Sequence, residues 1–313
     1  MESVPVLIET LKRIVTGVID EVRPGLIKAA LSGEHADRTN SRHKDNFLSE
    51  FDLRLHDRYR ELLSDALPSF VYASEEADPQ VIGPHADPDL CVLVDPLDTS
   101  EMAVRSLYGY THVMVYSRSL RRPIAAAVGD IFHELQVYIA ARDESGVDHA
   151  WLIERDGTSH PLRLSRSVPL REALVTNFLM KPDRFGALAE QGRLFEELGS
   201  SGRGRIGVDF GSISLCHVAA GFTDSVIEFH KGFAVWDLAP GHYILSAAGG
   251  VVVDLRGRAI PLDYGFATVA EIVKAMDDRY KFVAASAMPL AQEVVAALSE
   301  NRSDRARTHF PQP

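Results

Sequence analysis

The chain has 313 residues, of which 46% are apolar and 25% are charged, as is typical of a globular protein. Its formal net charge of −11 argues against a nucleic acid polymer or an anionic membrane as the principal partner, because both require a basic surface. A small anionic ligand stays possible, since a bound metal ion can reverse the sign of the charge locally.

The chain shows no targeting or membrane signal. No apolar run reaches the roughly 18 residues needed to cross a bilayer, and residues 1–10 lack the basic and apolar regions of a secretory signal. We therefore expect a cytoplasmic protein. Cys91 and Cys216 lie in or beside apolar runs without a C-x-x-C pair, which predicts buried free thiols.

The first third of the chain predicts two helices separated by a polar loop. Apolar residues recur at helical spacing over 4–31, with an interruption expected near Pro24. Residues 32–45 are polar and without a period, so they form either a mobile lid over a site or a plain solvated connection. A second helix runs to Leu67, and either Ser49 or Asp52 could cap it.

Two short apolar strands then end in carboxylates. The strand over 70–74 runs into Glu75 and Glu76, and a loop is predicted over 77–89. The next strand, over 91–94, runs into Asp95, and Asp98 follows three residues later at the start of a helix. Carboxylates beside a helix N-terminus suit a hard divalent cation and a phosphate together. The segment 98–101 also fits a capping box, so a purely structural interpretation stays open.

The remaining elements indicate an α+β first half and an α/β second half. Strands are predicted over 111–117, 123–131, 135–141, 149–154, 173–176 and 205–209, and helices over 183–198 and 213–220. We expect one domain over 1–300, with lobes at about 1–165 and 166–300, followed by a disordered tail over 301–313. Asp237 is a candidate N-cap of a helix that ends at Gly249–Gly250.

Four motifs in this order resemble the inositol monophosphatase family. The family patterns Leu-Val-Thr-x-x-Asp, an acidic pair, Asp-Pro-(Ile/Leu)-Asp-Gly-Thr, and Trp-Asp-x-Ala-x-Gly followed by Gly-Gly match residues 47–52, 75–76, 95–100, and 236–241 with 249–250. The resemblance covers about residues 45–255. It implies a layered α-β-α-β-α sandwich, an assembly as a homodimer, and phosphate monoester hydrolysis that depends on two or three Mg²⁺ ions.

The resemblance also implies roles for individual residues. The metal ligands would be Glu75, Asp95, the carbonyl of Leu97, Asp98 and Asp237, with Glu76 in an outer position. The phosphate would contact Asp98, Thr99 and Ser100, and Asp52 with Ser100 would orient the attacking water with help from Glu75. Residues corresponding to the family's substrate contacts are Gly211, Ser212, Glu228 and Lys231.

Departures from the family pattern bear on activity and substrate. Thr99 replaces the family's glycine, and a threonine with left-handed backbone would cost about 1–2 kcal/mol. Met102-Ala103 and Ala247 also depart from the pattern. These changes indicate an unusual substrate pocket or slower chemistry.

Three functions therefore stay open. They are a phosphatase of a cyclitol or sugar phosphate, a 3′-phosphoadenosine-nucleotide phosphatase, and a catalytically weak metal- or ligand-binding relative. His230 and Lys231 lie in a connection that is longer than the family's, which is either a solvated loop or a contact for a second anionic group.

Overall fold

The structure is a computed structural model, and it describes residues 4–34, 38 and 47–298. Helices and sheets stack in the order α-β-α-β-α, which confirms the layered fold that the family resemblance implies. The predicted tail over 301–313 and most of the predicted loop over 32–45 lie outside the described residues. Among the described helices, none is both long and apolar enough to span a membrane.

Two helices form the first layer. α1 (Val4–Ser32) and α2 (Glu50–Ala66) pack their apolar sides against one face of the first sheet. The predicted interruption near Pro24 is wrong, because α1 continues through this residue. Val22 and Leu26 are buried on either side of Pro24, so side-chain packing offsets the backbone hydrogen bond that proline removes.

The first sheet has the strand order β2-β1-β3-β4-β5-β6-β7-β8, and only β1 and β3 are parallel neighbours. Its strands are β1 (Phe70–Ser74), β2 (Ala77–Ile82), β3 (Leu90–Asp98), β4 (Tyr110–Ser117), β5 (Arg122–Asp130), β6 (Leu135–Arg142), β7 (Asp148–Glu154) and β8 (Ser159–Leu162). The meander predicted from the sequence is confirmed. The loop predicted over 77–89 is wrong for its first six residues, which form the edge strand β2, where Pro79 is tolerated.

The middle layer consists of α6 (Gly211–Ala219) and α7 (Val235–Ala247). Side chains from both sheets bury against these helices, including Tyr138 from the first sheet and Phe282 from the second. Cys91 and Cys216 belong to this core and are buried free thiols, as expected.

The second sheet has the strand order β10-β9-β11-β13-β12, with β9 parallel to both of its neighbours and β13 antiparallel to both of its own. Its strands are β9 (Leu174–Asn177), β10 (Arg205–Val208), β11 (Ser225–Ala234), β12 (Val251–Asp254) and β13 (Arg279–Ala285). The other helices are α3 (Ser100–Ala103), α4 (Pro182–Ala189), α5 (Gly192–Gly199), α8 (Val269–Ala275) and α9 (Met288–Ala297), with a 3₁₀ turn at Leu170–Glu172.

The outer face of the second sheet is covered by α4, α5 and α9. The single helix predicted over 183–198 is wrong, because the chain leaves the helical conformation at Gln191 (φ −85°, ψ 56°) and forms α4 and α5. The elements after Gly250 are not predicted from the sequence. Their apolar runs, such as 251–253, are too short to separate strand from helix by period alone.

Candidate active site

The site is built around the end of β3. In a regular strand Asp95 and Asp98 would point to opposite faces, because side chains alternate and three residues separate the two. The register with β4 pairs Asp95 with His112 and Asp98 with Tyr110, so β3 holds one extra residue in this interval. This bulge brings both carboxylates to the same side of the sheet.

His112 completes the group. His112 Nδ1 lies 3.7 Å from Asp95 Oδ2, and His112 Nε2 lies 3.3 Å from Asp98 Oδ2. Each of the three residues brings one possible ligand atom to within 4.8 Å of the others. Burial lowers the pKa of His112 to about 3, so the ring is neutral at pH 7 and does not balance the two carboxylates.

Glu75 and Glu76 follow β1, which is parallel to β3. The register pairs Ser74 with Val94, so Glu75 comes directly after its strand at the edge where Asp95 ends its own apolar run. Both glutamates line a cavity at this end of β1 and β3, which is called the cavity below. Burial, together with the charges of Asp237, Glu76 and other carboxylates, raises the pKa of Glu75 well above its usual value.

Asp237 reaches the same cavity from α7. It is the third residue of this helix rather than its N-cap, which corrects the sequence interpretation. Its Oδ2 accepts a hydrogen bond of 3.3 Å from the N–H of Ala234, the residue that occupies the N-cap. Burial raises the pKa of Asp237 to about 6, although this hydrogen bond and the charge of Arg279 oppose the shift.

Asp52 is positioned by the start of α2. Ser49 is the N-cap of α2. Its N–H and its hydroxyl donate hydrogen bonds of 2.7 Å and 2.6 Å to Asp52 Oδ2. Burial raises the pKa of Asp52 to about 6, while hydrogen bonds from Ser49 and Ser100 oppose the shift. The structure therefore brings Asp52 and Ser100 together, as the family pattern implies.

The electrostatics of the cluster fit a bound cation. Burial and neighbouring carboxylates raise the pKa of Asp95 well above its usual value and that of Asp98 to about 8. Both oxygens of Asp95 and Oδ2 of Asp98 are buried without a hydrogen-bond partner among the described residues. Buried carboxylates are normally paired or coordinate a metal ion, and carboxylate oxygens are the ligands that Mg²⁺ prefers.

Thr99 has a left-handed backbone, with φ 62° and ψ 35°. It is the N-cap of α3 and makes no side-chain cap, so the capping-box interpretation of 98–101 is wrong. Its hydroxyl instead donates a 3.1 Å hydrogen bond to Asp98 Oδ1. The conformational cost expected from the sequence is therefore present next to a candidate metal ligand.

Two of the four candidate substrate contacts line the cavity, and the other two do not. Gly211 and Lys231 line the cavity, whereas Ser212 and Glu228 lie outside its lining. The Ser212 hydroxyl donates to the carbonyl of Asp237 at 2.7 Å and accepts the N–H of Gly241 at 3.2 Å, so it joins α6 to α7. Glu228 is fully buried and forms an ion pair with Arg184.

The cavity has a volume of about 290 Å³. The predicted site residues in its lining are Asp52, Glu75, Glu76, Leu97, Asp98, Thr99, Ser100, Gly211, Lys231 and Asp237. Sequence reasoning misses His112, Arg184 and Arg279. Pairing the 91–94 strand with the 111–117 strand could have indicated His112, but nothing local marks either arginine as a site residue.

Comparison with known proteins agrees with this geometry. A family model described as "Inositol monophosphatase family" matches residues 3–301. Mouse inositol monophosphatase 2 is 27% identical over 260 residues, which cover 76% of this chain and 77% of that protein. The Nus factor SuhB of Pasteurella multocida is 23% identical over 228 residues, covering 70% and 76%.

A solved structure shares the fold. The extragenic suppressor protein suhB from Bartonella henselae superposes with a TM-score of 0.65 at 18% identity, covering 94% of this chain and 99% of that one. The match of the family model along nearly the whole chain is the decisive finding, and the clustered carboxylates are consistent with it. The chain belongs to the inositol monophosphatase family, and it is a phosphatase of that family.

Proposed function

We propose that the chain is a Mg²⁺-dependent phosphomonoesterase that hydrolyses a small phosphorylated metabolite, a cyclitol or sugar phosphate. The observation that carries the proposal is that Glu75, Asp98 and Asp237 line one cavity, with the buried Asp95 grouped with Asp98 and His112 directly behind it. The proximity of these carboxylates raises the pKa of Glu75 and of Asp95 above the usual values, in addition to the effect of burial. Such a cluster is stable in its ionised form only beside positive charge.

The ligands in this proposal are Glu75, Asp95, Asp98, Asp237 and the carbonyl of Leu97. Glu76 takes an outer position, and two or three ions share the site. When bound, Mg²⁺ supplies charge neutralisation at the phosphoryl oxygens and lowers the pKa of a coordinated water. Neutral His112 lies beside Asp95 and Asp98 and adds no positive charge to the site.

Protein groups position the reacting atoms. Asp98, Thr99 and Ser100 contact the phosphate, and Ser100 with Asp52 aligns the attacking water. The hydrogen bonds that Ser49 donates fix the Asp52 carboxylate in one orientation. Glu75 lines the same cavity and assists in placing that water.

The test is release of inorganic phosphate from a panel of cyclitol, sugar and nucleotide monophosphates, with Mg²⁺ and with EDTA. Asp98→Asn keeps the size of the side chain and removes its charge, so it should abolish turnover. Asp57→Asn, on the exposed side of α2, is the matched control and should leave turnover unchanged. Turnover that persists in EDTA or in the Asp98→Asn variant would contradict the proposal.

A second candidate function follows from Thr99. Its left-handed backbone beside Asp98 favours a catalytically weak relative that binds a phosphate ester in Mg²⁺ and hydrolyses it only slowly. Tight binding with very slow phosphate release across the panel would support this function. Release from 3′-phosphoadenosine nucleotides alone would instead identify the nucleotide phosphatase.

The assembly and the domain division are part of the same proposal. The core between the two sheets draws side chains from both, so lobes at about 1–165 and 166–300 should unfold as one domain. A homodimer in the cytoplasm is the expected form, and light scattering on the purified chain measures its mass.

A further inference from the structure

Both acidic and basic residues line the cavity. The carboxylates of Asp52, Glu75 and Asp98 enter it from α2 and from the ends of β1 and β3. Positive side chains enter from the second sheet and the segments beside it. These are Lys181 and Arg184 at α4, Lys231 in β11 and Arg279 at the start of β13. The side of the cavity formed by these four residues is here called the cationic wall.

Glu228 does not face the substrate space. Its Oε1 accepts the N–H groups of His230 and Gly232, each at 3.0 Å, and its Oε2 accepts a hydrogen bond from Arg184 Nη1. Arg184 therefore pairs with the charge of this carboxylate, and groups of the protein occupy both of its oxygens. Arg184 and Lys231 line the cavity instead of Glu228, which the family resemblance implies as a substrate contact.

The same hydrogen bonds hold the backbone on both sides of Lys231. Between Glu228 and Phe233, β11 bulges away from β13, and Gly232 allows the turn with φ +87°. The two amides held by Glu228 flank Lys231 on either side in the chain. Lys231 is exposed and lines the cavity, so the bulge fixes the backbone of a lysine that borders the substrate space.

Arg184 contributes from the opposite side of Glu228. Its guanidinium lies 4.3 Å from the centre of the Phe178 ring, and its hydrogen bonds to Glu228 and to the carbonyl of Phe178 both use Nη1. A guanidinium carries five N–H donors, so donors are left for the cavity that Arg184 lines. Asp183, the preceding residue in the chain, also lines the cavity, and its Oδ2 lies 3.2 Å from His230 Nε2.

From this arrangement we propose that the cationic wall is a subsite for a second anionic group of the substrate. The inference rests on the proposed phosphatase function and narrows its substrate to a cyclitol or sugar phosphate that carries a further phosphate or a carboxylate. Lys231 and Arg184 bind that group by charge-assisted hydrogen bonds while the ester phosphate lies at Asp98 and Ser100.

Three esters that differ only at carbon 6 test the subsite. Glucose 1-phosphate has a hydroxyl there, glucose 1,6-bisphosphate a phosphate, and glucuronic acid 1-phosphate a carboxylate. We expect kcat/KM for at least one charged ester to exceed that for glucose 1-phosphate by about tenfold, mainly through KM. The preferred ester identifies the anionic group, and equal values for all three overturn the subsite while leaving the phosphatase function intact.

Variants of Lys231 test whether the cationic wall causes the preference for a charged ester. Lys231→Met should reduce the ratio of charged to neutral ester by about tenfold, and Lys231→Arg should keep most of it. Lys274→Met removes an equally exposed lysine outside the cavity and should leave the ratio unchanged. A ratio that is the same in Lys231→Met and in the wild type contradicts the proposal.

Calorimetry separates the two possible failures. If none of the esters is hydrolysed, the phosphatase function fails for this substrate class, and the binding constants of the three esters in Mg²⁺ then decide the subsite. Tighter binding of a charged ester that Lys231→Met abolishes supports it. Equal or absent binding of all three overturns it.

Discussion

Gly211 lies against the carboxylate of Asp98 so closely that an ideal Cβ atom on this glycine would stand 1.7 Å from Asp98 Oδ2. Its φ of +42° lies outside the range that other residues adopt readily. The N-terminus of α6 therefore sets the position of a candidate metal ligand on β3, although more than 100 residues separate the two in the chain.

Gly211→Ala should displace Asp98 and lower phosphate release by at least about 100-fold, since a shift of about 1 Å can have that effect. Turnover with Mg²⁺ is the measurement. Gly17→Ala, in the middle of α1 with no atom within 4 Å of its ideal Cβ, is the control, and it should raise the free energy of unfolding by about 0.5–1 kcal/mol. An active Gly211→Ala enzyme would show that the position of Asp98 is not critical.

Asp95 links metal binding to stability. In EDTA, Asp95→Asn should raise the free energy of unfolding by about 1 kcal/mol, because burying this carboxyl among other carboxylates costs free energy, either as a charge or through the uptake of a proton. Mg²⁺ at about 100 times its dissociation constant should raise the free energy of unfolding of the wild type by about 2.7 kcal/mol, and that of the variant by much less. Urea unfolding under both conditions measures the difference. Equal stabilisation of both proteins by Mg²⁺ would contradict a role for Asp95 as ligand.

Thr99 allows the cost of its left-handed backbone to be measured. Thr99→Ala and Thr99→Gly both remove the hydroxyl that donates to Asp98, but only glycine removes the Cβ atom. The glycine variant should therefore be more stable than the alanine variant by about 1–2 kcal/mol. The comparison uses free energies of unfolding in EDTA. An alanine variant as stable as the glycine variant would mean that this position is not strained.

The ion pair of Arg184 and Glu228 should behave as a buried pair. Arg184→Met leaves an unpaired carboxylate in the interior and should destabilise the fold by about 3 kcal/mol. The double variant Arg184→Met with Glu228→Gln removes that charge and should recover part of the loss. Unfolding free energies of the wild type, both single variants and the double variant give the coupling between the two residues. Additive effects would indicate that the pair contributes nothing.

His217 predicts a pH dependence of stability. Burial alone would lower its pKa, but the Asp209 carboxylate, 2.7 Å from His217 Nδ1, raises the pKa above the usual value of about 6.5. The folded protein thus holds this proton more tightly than the unfolded chain, so the stabilisation is complete below about pH 6.5 and is lost as the pH rises through the folded-state pKa.

His217→Asn should therefore cost about 1–2 kcal/mol at pH 6 and less at pH 9, as measured by urea unfolding. His160→Asn, which breaks an exposed pair with Glu154, is the control and should cost little at either pH. A cost of His217→Asn that grows with pH would reverse the expected sign.

Much of the candidate site is predictable because its carboxylates follow local patterns. Glu75 directly follows the apolar strand β1, Asp95 ends the apolar run of β3, and Asp237 lies in the first turn of a helix, so neighbouring residues alone indicate which element carries each carboxylate. His112 and Arg184 escape prediction, because their roles depend on strand register and on contacts with distant segments.

Taken alone, the sequence determined the secondary structure over most of residues 4–220, the order of the acidic motifs and the family resemblance. Those properties depend on residues close together in the chain, through side-chain period, capping and turn preferences. Only the tertiary structure decided that a bulge turns Asp95 and Asp98 to one side, and that Arg184 pairs with the buried Glu228. Both are set by the packing of distant segments, whose register no local pattern encodes, and both shape the candidate active site.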